Sequence, residues 1–227
     1  MLGHAALAMW WDMAPDVRDE FEHWHTHEHF SERLALPGFL RASRWADADG
    51  GEGFFVLYEL DRVESLASPA YLARLNAPTD WSRRRKPHDR RGVPSPCRVA
   101  FAPGARTGAR AVTRRRSPRP AMAQALQDKL HATAVEVATR QGLAGMAMLK
   151  AEPQDLDPTT EQRIRGLADR TADWVLVVTG YDAAALARIV QDELSGEALS
   201  SAGAAPGSQA RVHRLRMSMA RPECAQT

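Results

Sequence analysis

The stretch FLRASRWADADGGEGFFVLYEL, Phe39–Leu60, decides the fold. Phe39–Trp45 and Phe54–Leu60 are both strand-like, rich in aromatic and aliphatic residues. Between them Asp47–Gly53 (DADGGEG) is dense in Gly and Asp, which read as a turn. The stretch therefore forms a hairpin. Upstream, Ala5–Met13 (AALAMWWDM) is a further strand candidate. Pro15 suits a first helical position, and Asp16, Asp19 and Glu20 put negative charge where a helix dipole favours it. That helix runs toward Leu34 and stops at Pro37-Gly38. Downstream, Val63–Leu75 is helical in pattern, with Pro69 as a break or a new start. Asn76–Pro96 reads as an irregular basic loop and Cys97–Ala102 as a closing strand. The order is β-α-β-β-α-β, a ferredoxin-like unit.

The order then recurs. Ala109–Arg115 is a strand, Ala121–Gln141 an Ala-rich helix ended by Gly142, and Leu143–Lys150 a strand. Trp174–Thr179 is a strand, Ala183–Leu194 a helix and Ala210–Met219 a last strand. This second copy carries a polar insertion, Ala151–Asp173. A single such unit leaves one sheet face bare, and two in one chain can bury both faces and enclose an interior. The expected fold class is α+β: two tandem ferredoxin-like units, 1–105 and 106–220, forming a pseudo-dimeric α+β barrel, with 221–227 as a tail.

Composition sets outer limits. The chain has 227 residues, 44% hydrophobic and 26% charged, with a net charge of +2. These values exclude a disordered chain or a fibre. No window approaches the roughly 18 consecutive apolar residues of a membrane helix. Cys97 and Cys224 form no framework or metal knuckle, so a cytoplasmic location and no membrane partner are expected. Only Lys86, Lys129 and Lys150 among the 30 basic residues are lysines, a bias better read as codon usage than as function.

Glu22–Phe30 (EHWHTHEHF) carries four alternating histidines. On a helix, at about 100° per residue, they split into two i, i+4 pairs, His25 with His29 and His23 with His27. Glu28 falls on the apolar stripe of Phe21 and Trp24, out of place in a simple core. Either pair has metal-binding spacing, but neither has a third ligand, so no metal or other cofactor is expected. On the hairpin, alternation turns Phe39, Arg41, Ser43 and Trp45 to one face, with Leu40 and Ala42 toward the helices.

The run Trp24…Glu28-His29-Phe30-Ser31-Glu32-Arg33-Leu34…Pro37-Gly38-Phe39…Arg44-Trp45 resembles the EthD-like families of the dimeric α+β barrel superfamily. Ser31 departs from the proline usual there. The segment Ser68–Trp81, with Tyr71 and Asn76, is also similar to sequences of that kind. The resemblance covers about the first 80 residues. It implies that His29 looks into a barrel interior, and it points to Arg44 where alternation points to Arg41. It also brings oxygenases, isomerases, cyclases and haem enzymes into view without selecting one. On this reading His29 is the acid or base, oriented by Glu28 or Glu32, and Arg44 stabilises an enolate. Trp24, His25, Arg41, Trp45, Tyr58, Tyr71 and Trp81 are the expected ligand contacts. The ligand is a small aromatic or polyketide-like acid, and a homodimer is compatible with the fold.

Two other classes compete. One is a non-catalytic interaction protein whose interior is packed core. The other is an RNA-binding module, since Arg83–Arg91 and Arg114–Arg119 are basic runs and the RNA-recognition motif shares this element order. Phe55-Val56-Leu57-Tyr58 matches the last four positions of that motif's third-strand box, but the first four miss, which argues against nucleic acid. No P-loop, GxSxG, HExxH or strand-linked GxGxxG is present.

Overall fold

The computed structural model describes residues 1–155, 157–165 and 173–221. The first half is β1 (Ala5–Asp12), α1 (Arg18–Trp24), a π-helical segment His25–His29, α2 (Phe30–Leu34), β2 (Phe39–Asp47), β3 (Gly53–Leu60), α3 (Pro69–Asn76), α4 (Asp80–Arg85) and β4 (Arg90–Phe101). The second half is β5 (Arg110–Arg116), α5 (Ala123–Val137), β6 (Leu143–Ala151), α6 (Thr160–Arg165), β7 (Trp174–Gly180), α7 (Ala183–Gln191), α8 (Gly196–Ser201) and β8 (Arg211–Ala220). β-α-β-β-α-β thus occurs twice. The hydrogen-bonded strand order β1-β3-β2-β8-β5-β7-β6-β4 closes on itself as a barrel.

Contacts divide the chain into two compact units, at positions other than 105. The N-terminal unit holds Leu2–Cys97 together with described residues of 152–165 and 216–221. The second unit holds Arg98–Ala151 and 173–215. Much of the insertion therefore belongs to the unit before it in sequence. Residues 166–172 and the tail 222–227 lie outside the described residues.

The two halves share local detail. Gly38 and Gly142 each follow a helix at positive φ, 89° and 86°, the left-handed conformation that glycine adopts at little cost. Each opens a strand with a bulge, between Phe39 and Arg41 and between Leu143 and Gly145. The first bulge corrects the alternation expected for β2. Phe39 faces the helices with Ala42 and Ala46, and one face of the sheet packs them against Phe21, Trp24 and Phe30. The other face carries Trp10, Phe55 and Trp45, with ring centroids 5.1 and 5.4 Å apart along the run.

The segment read as a loop, Asn76–Pro96, contains α4 and the first half of β4. Thr79 caps α4, its hydroxyl accepting from the Ser82 amide at 3.0 Å. β4 begins seven residues earlier than its apolar pattern suggests, because Pro94 and Pro96 mask strand character in the sequence. The second core is built from Leu126, Leu130 and Val137 of α5 against Met146, Leu176 and Val178. Among the described residues no helix is long and apolar enough to cross a membrane.

Candidate active site

The π-helical segment His25–His29 makes the site. A wider turn admits one more residue than an α-helical turn, and such segments recur at functional sites. His25 and His29 are buried, 2% and 5% exposed, whereas His23 and His27 are exposed. The His29 ring lies 4.5 Å from Trp24 and 5.2 Å from His25, centroid to centroid. Burial holds both buried imidazoles well below the usual histidine range, and the cationic side chains nearby add to it: Arg44 foremost at His25, Arg33 foremost at His29. Both rings are neutral at neutral pH.

His29 opens onto a cavity of about 240 Å³ within the N-terminal unit. Its apolar wall includes Leu7, Phe39, Leu66 and Leu75. Its ionisable groups are His29, Arg33, Tyr58, Tyr71, Lys86 and Glu161, and Gln154, Thr159 and Gln162 add neutral polar ones. Glu161 comes from α6, in the insertion. It accepts two hydrogen bonds from Arg33 Nη2, at 2.8 and 2.9 Å, and lies 3.4 Å from Lys86 Nζ. Burial works against the Glu161 carboxylate, but Lys86 and Arg33 outweigh it and hold its pKa below the ordinary value. One carboxylate thus faces two cations, which leaves the cavity positive.

Three residues lining this cavity each carry a buried polar atom without a hydrogen-bond partner: His29 Nδ1, Arg33 Nη1 and Tyr58 Oη. Glu32 Oε2 stands 3.9 Å from both His29 Nδ1 and Arg33 Nη1. Burial keeps the Tyr58 phenol protonated, its pKa well above the usual value. Glu32 is itself raised by burial, against the pull of Arg33 and Arg74.

The residues expected at the site divide into those brought together and those sent elsewhere. His29, Tyr58 and Tyr71 line the cavity, and Trp24 backs His29. Glu28 does not orient His29. It accepts from Trp24 Nε1 at 2.8 Å, Thr79 Oγ1 at 2.6 Å and Ser82 Oγ at 3.2 Å, tying the histidine segment to the start of α4. Glu32 is the carboxylate nearer His29. Arg44 faces the helices but stops one turn short, at 3.3 Å from His25 Nδ1 and 3.1 Å from Thr26 Oγ1. Burial lowers its pKa to about 10, against the pull of Glu22. Arg41 pairs with Glu59 at 2.6 Å, outside the cavity. Trp45 lies on the opposite face of the sheet, stacked on Phe55, and Trp81 packs near His23 with centroids 5.5 Å apart.

Arg33, Lys86 and Glu161 are site residues that the sequence reading missed. A signal existed for Glu161. Thr159-Thr160-Glu161-Gln162 forms a capping box, with Thr159 N donating to Gln162 Oε1 at 2.7 Å and Gln162 N to Thr159 Oγ1 at 3.4 Å. That pattern announces a helix inside the insertion.

No family model matches the chain, and no curated protein does. Solved structures do. A candidate monooxygenase from Fusobacterium nucleatum matches 97% of this chain and 96% of its own at TM-score 0.64 and 9% identity. An anthrone oxidase-like protein matches 97% and 94% at TM-score 0.65 and 12% identity. A heme-binding protein from Thermus thermophilus matches 95% and 92% at TM-score 0.51 and 12% identity. The fold is the one these structures share, an α+β barrel of ferredoxin-like units. At such identities the likeness is one of fold, and chemistry has to be argued from the site.

The RNA-binding alternative loses its surface. The sheet face that would stack bases holds Trp10, Phe55 and Trp45 at 5%, 0% and 1% exposure. In the run Arg83–Arg91, Arg85 and Lys86 are buried and paired, with Glu20 at 3.3 Å and Glu161 at 3.4 Å, and Arg91 pairs with Asp12 at 2.6 Å, while Arg83 and Arg84 stay exposed.

Proposed function

We propose that the cavity of the N-terminal unit binds a small enolisable aromatic or polyketide-like ligand, and that His29 moves a proton on it. The reading is that of an EthD-like oxygenase, isomerase or cyclase acting in the cytoplasm. The observation that carries it is one cavity lined by His29, Arg33 and Tyr58, each of which also holds a buried polar atom without a hydrogen-bond partner. Each unmade hydrogen bond costs about 1–3 kcal/mol. Side chains held at that cost around one small space fit a role toward a ligand better than a role in stability.

The roles follow from charge state. Neutral His29 takes a proton from carbon conjugated with a carbonyl, directly or through an aromatic ring. The electron pair moves onto the carbonyl oxygen, where Arg33 and protonated Tyr58 donate to the enolate. Glu32, beside His29, steadies the imidazolium until the proton is returned. The positive cavity favours an anionic ligand from the outset. A haem does not suit this cavity. Its volume is below the roughly 300–1,000 Å³ of drug-sized pockets, and the His29 ring is packed between Trp24 and His25.

Anthrone, an aromatic ketone with acidic methylene protons, is a suitable probe. In deuterated buffer the protein is expected to accelerate exchange of those protons, followed by NMR, and His29→Gln to slow it by about a hundredfold or more. Exchange no faster than in buffer, or unchanged in the variant, would refute the assignment. Affinity without exchange would reduce the protein to a binder.

A further inference from the structure

The second unit holds a pocket with a different chemistry. It measures about 470 Å³ and is lined by Arg114 and Arg116 of β5, by Ser195 and Gly196 at the start of α8, and by Gly207 and Gln209. Period-2 alternation puts Val112, Arg114 and Arg116 on the helix-facing side of β5. Val112 joins the apolar core, and the next two positions on that side are arginines only 4% and 6% exposed.

Neither arginine has a carboxylate partner among the described residues. Arg114 donates through Nη1 to the Leu194 carbonyl, while its Nε is buried without a partner. Arg116 Nη1 is likewise buried without a partner. Burial lowers both pKa values, and Arg116 adds like-charge repulsion at Arg114, which falls to about 10. Both remain cationic at neutral pH. Two charges about 7 Å apart along one strand face, desolvated and uncompensated, are expensive to hold unless an anion completes them. The pocket is also shaped around the guanidinium groups. A Cβ on Gly207 would lie 2.5 Å from Arg116 Nη1, and one on Gly196 would lie 3.5 Å from Arg114 Nη2.

We propose that Arg114 and Arg116 form an oxyanion-binding site for a phosphate group, free or as the head of a small phosphate ester. Guanidinium forks match tetrahedral oxyanions in geometry and charge, and the seryl hydroxyls lining the pocket supply neutral contacts. The pocket is larger than a phosphate ion requires, so there is room for an ester's organic portion. The site is independent of His29, being built in the other unit.

Thermal unfolding of the full chain tests it, with sodium phosphate or phenyl phosphate against sodium chloride at equal ionic strength. The melting temperature is expected to rise with phosphate and not with chloride, saturably. Arg114→Met and Arg116→Met are expected to abolish the rise. Both should fold, because replacing a buried unpaired charge by an apolar side chain of similar volume relieves a cost. Gly207→Ala, which keeps both charges but crowds Arg116, should weaken the apparent affinity about tenfold. Tighter binding of phenyl phosphate would identify an ester as the ligand, and equal binding would identify free phosphate. No rise beyond that in chloride, or a rise retained in both methionine variants, would overturn the proposal.

Discussion

In the N-terminal unit the first helix is interrupted after seven residues by the π-helical segment, which buries two histidines. At the same place in the order, α5 of the second unit runs unbroken for 15 residues. It buries Leu126, Leu130, Ala134 and Val137 on a regular stripe. At the same helix position the topology thus yields a histidine-lined cavity in one unit and a regular packed stripe in the other, whose own pocket lies elsewhere, between β5 and α8. The difference lies in broken periodicity and in an added segment, 152–165, that brings a counter-charge. A site arises here by spoiling a repeat locally while the surrounding sheet stays intact.

Removing that counter-charge should break the contrast most severely. Glu161→Ala leaves Arg33 and Lys86 buried without their shared carboxylate, and a loss of about 3–5 kcal/mol is expected in urea unfolding. Glu161→Gln keeps a hydrogen-bond acceptor and should lose less. Equal stability in wild type and Glu161→Ala would show that the ion triad does not hold the segment.

A smaller effect is expected from pH. His25 and His29 have folded-state pKa values well below the unfolded value of about 6.5. Above that value neither state is protonated, and the two neutral rings carry no penalty. As pH falls below it, the unfolded chain binds protons that the folded one does not, so stability declines. The slope should approach about 1.4 kcal/mol per pH unit for each histidine. Urea midpoints between pH 7.5 and 5 should therefore fall less steeply in His29→Gln than in wild type. A slope unchanged by that substitution would mean that the burial of His29 is relieved by protonation-linked opening. The second unit's core provides no such histidine pair on α5, whose His131 is exposed.

The smallest change is the most specific. Tyr58→Phe removes a hydroxyl that has no partner and should raise stability by about 1 kcal/mol while lowering ligand affinity. Stability gained at the expense of binding marks a functional site, whereas a loss of stability would show that the hydroxyl is satisfied in solution.

The hairpin, the terminal strands and the doubled element order were legible because turn chemistry and apolar runs are local signals. Gly38 and Gly142 could be paired by eye for the same reason. His29, Trp24, Tyr58 and Tyr71 could be named, since aromatic and imidazole side chains are rare and clustered. The π turn could not be seen. A uniform 100° per residue places Glu28 on the apolar stripe, and only the added residue in the turn takes it to Thr79 and Ser82. The bulge after Phe39 defeated strict alternation in the same way, setting Arg44 on the helix side and Arg41 against Glu59. Arg33 and Lys86 were hidden by their surroundings, one within a helix end and the other within a basic run whose other members are mostly exposed or paired. Glu161 was hidden by distance, 128 residues from the arginine it holds.

That distance has a consequence for symmetry. In a homodimer every residue is present twice, so a segment closing one pocket must close its mate identically. A single chain with two units is free of that constraint. Residues 152–165 exist once and serve the N-terminal unit alone, while Arg114 and Arg116 have no arginine counterparts on β1, whose sequence is AALAMWWD. Covalent linkage lets one fold hold two pockets of unlike chemistry in one gene product, each open to change without altering the other.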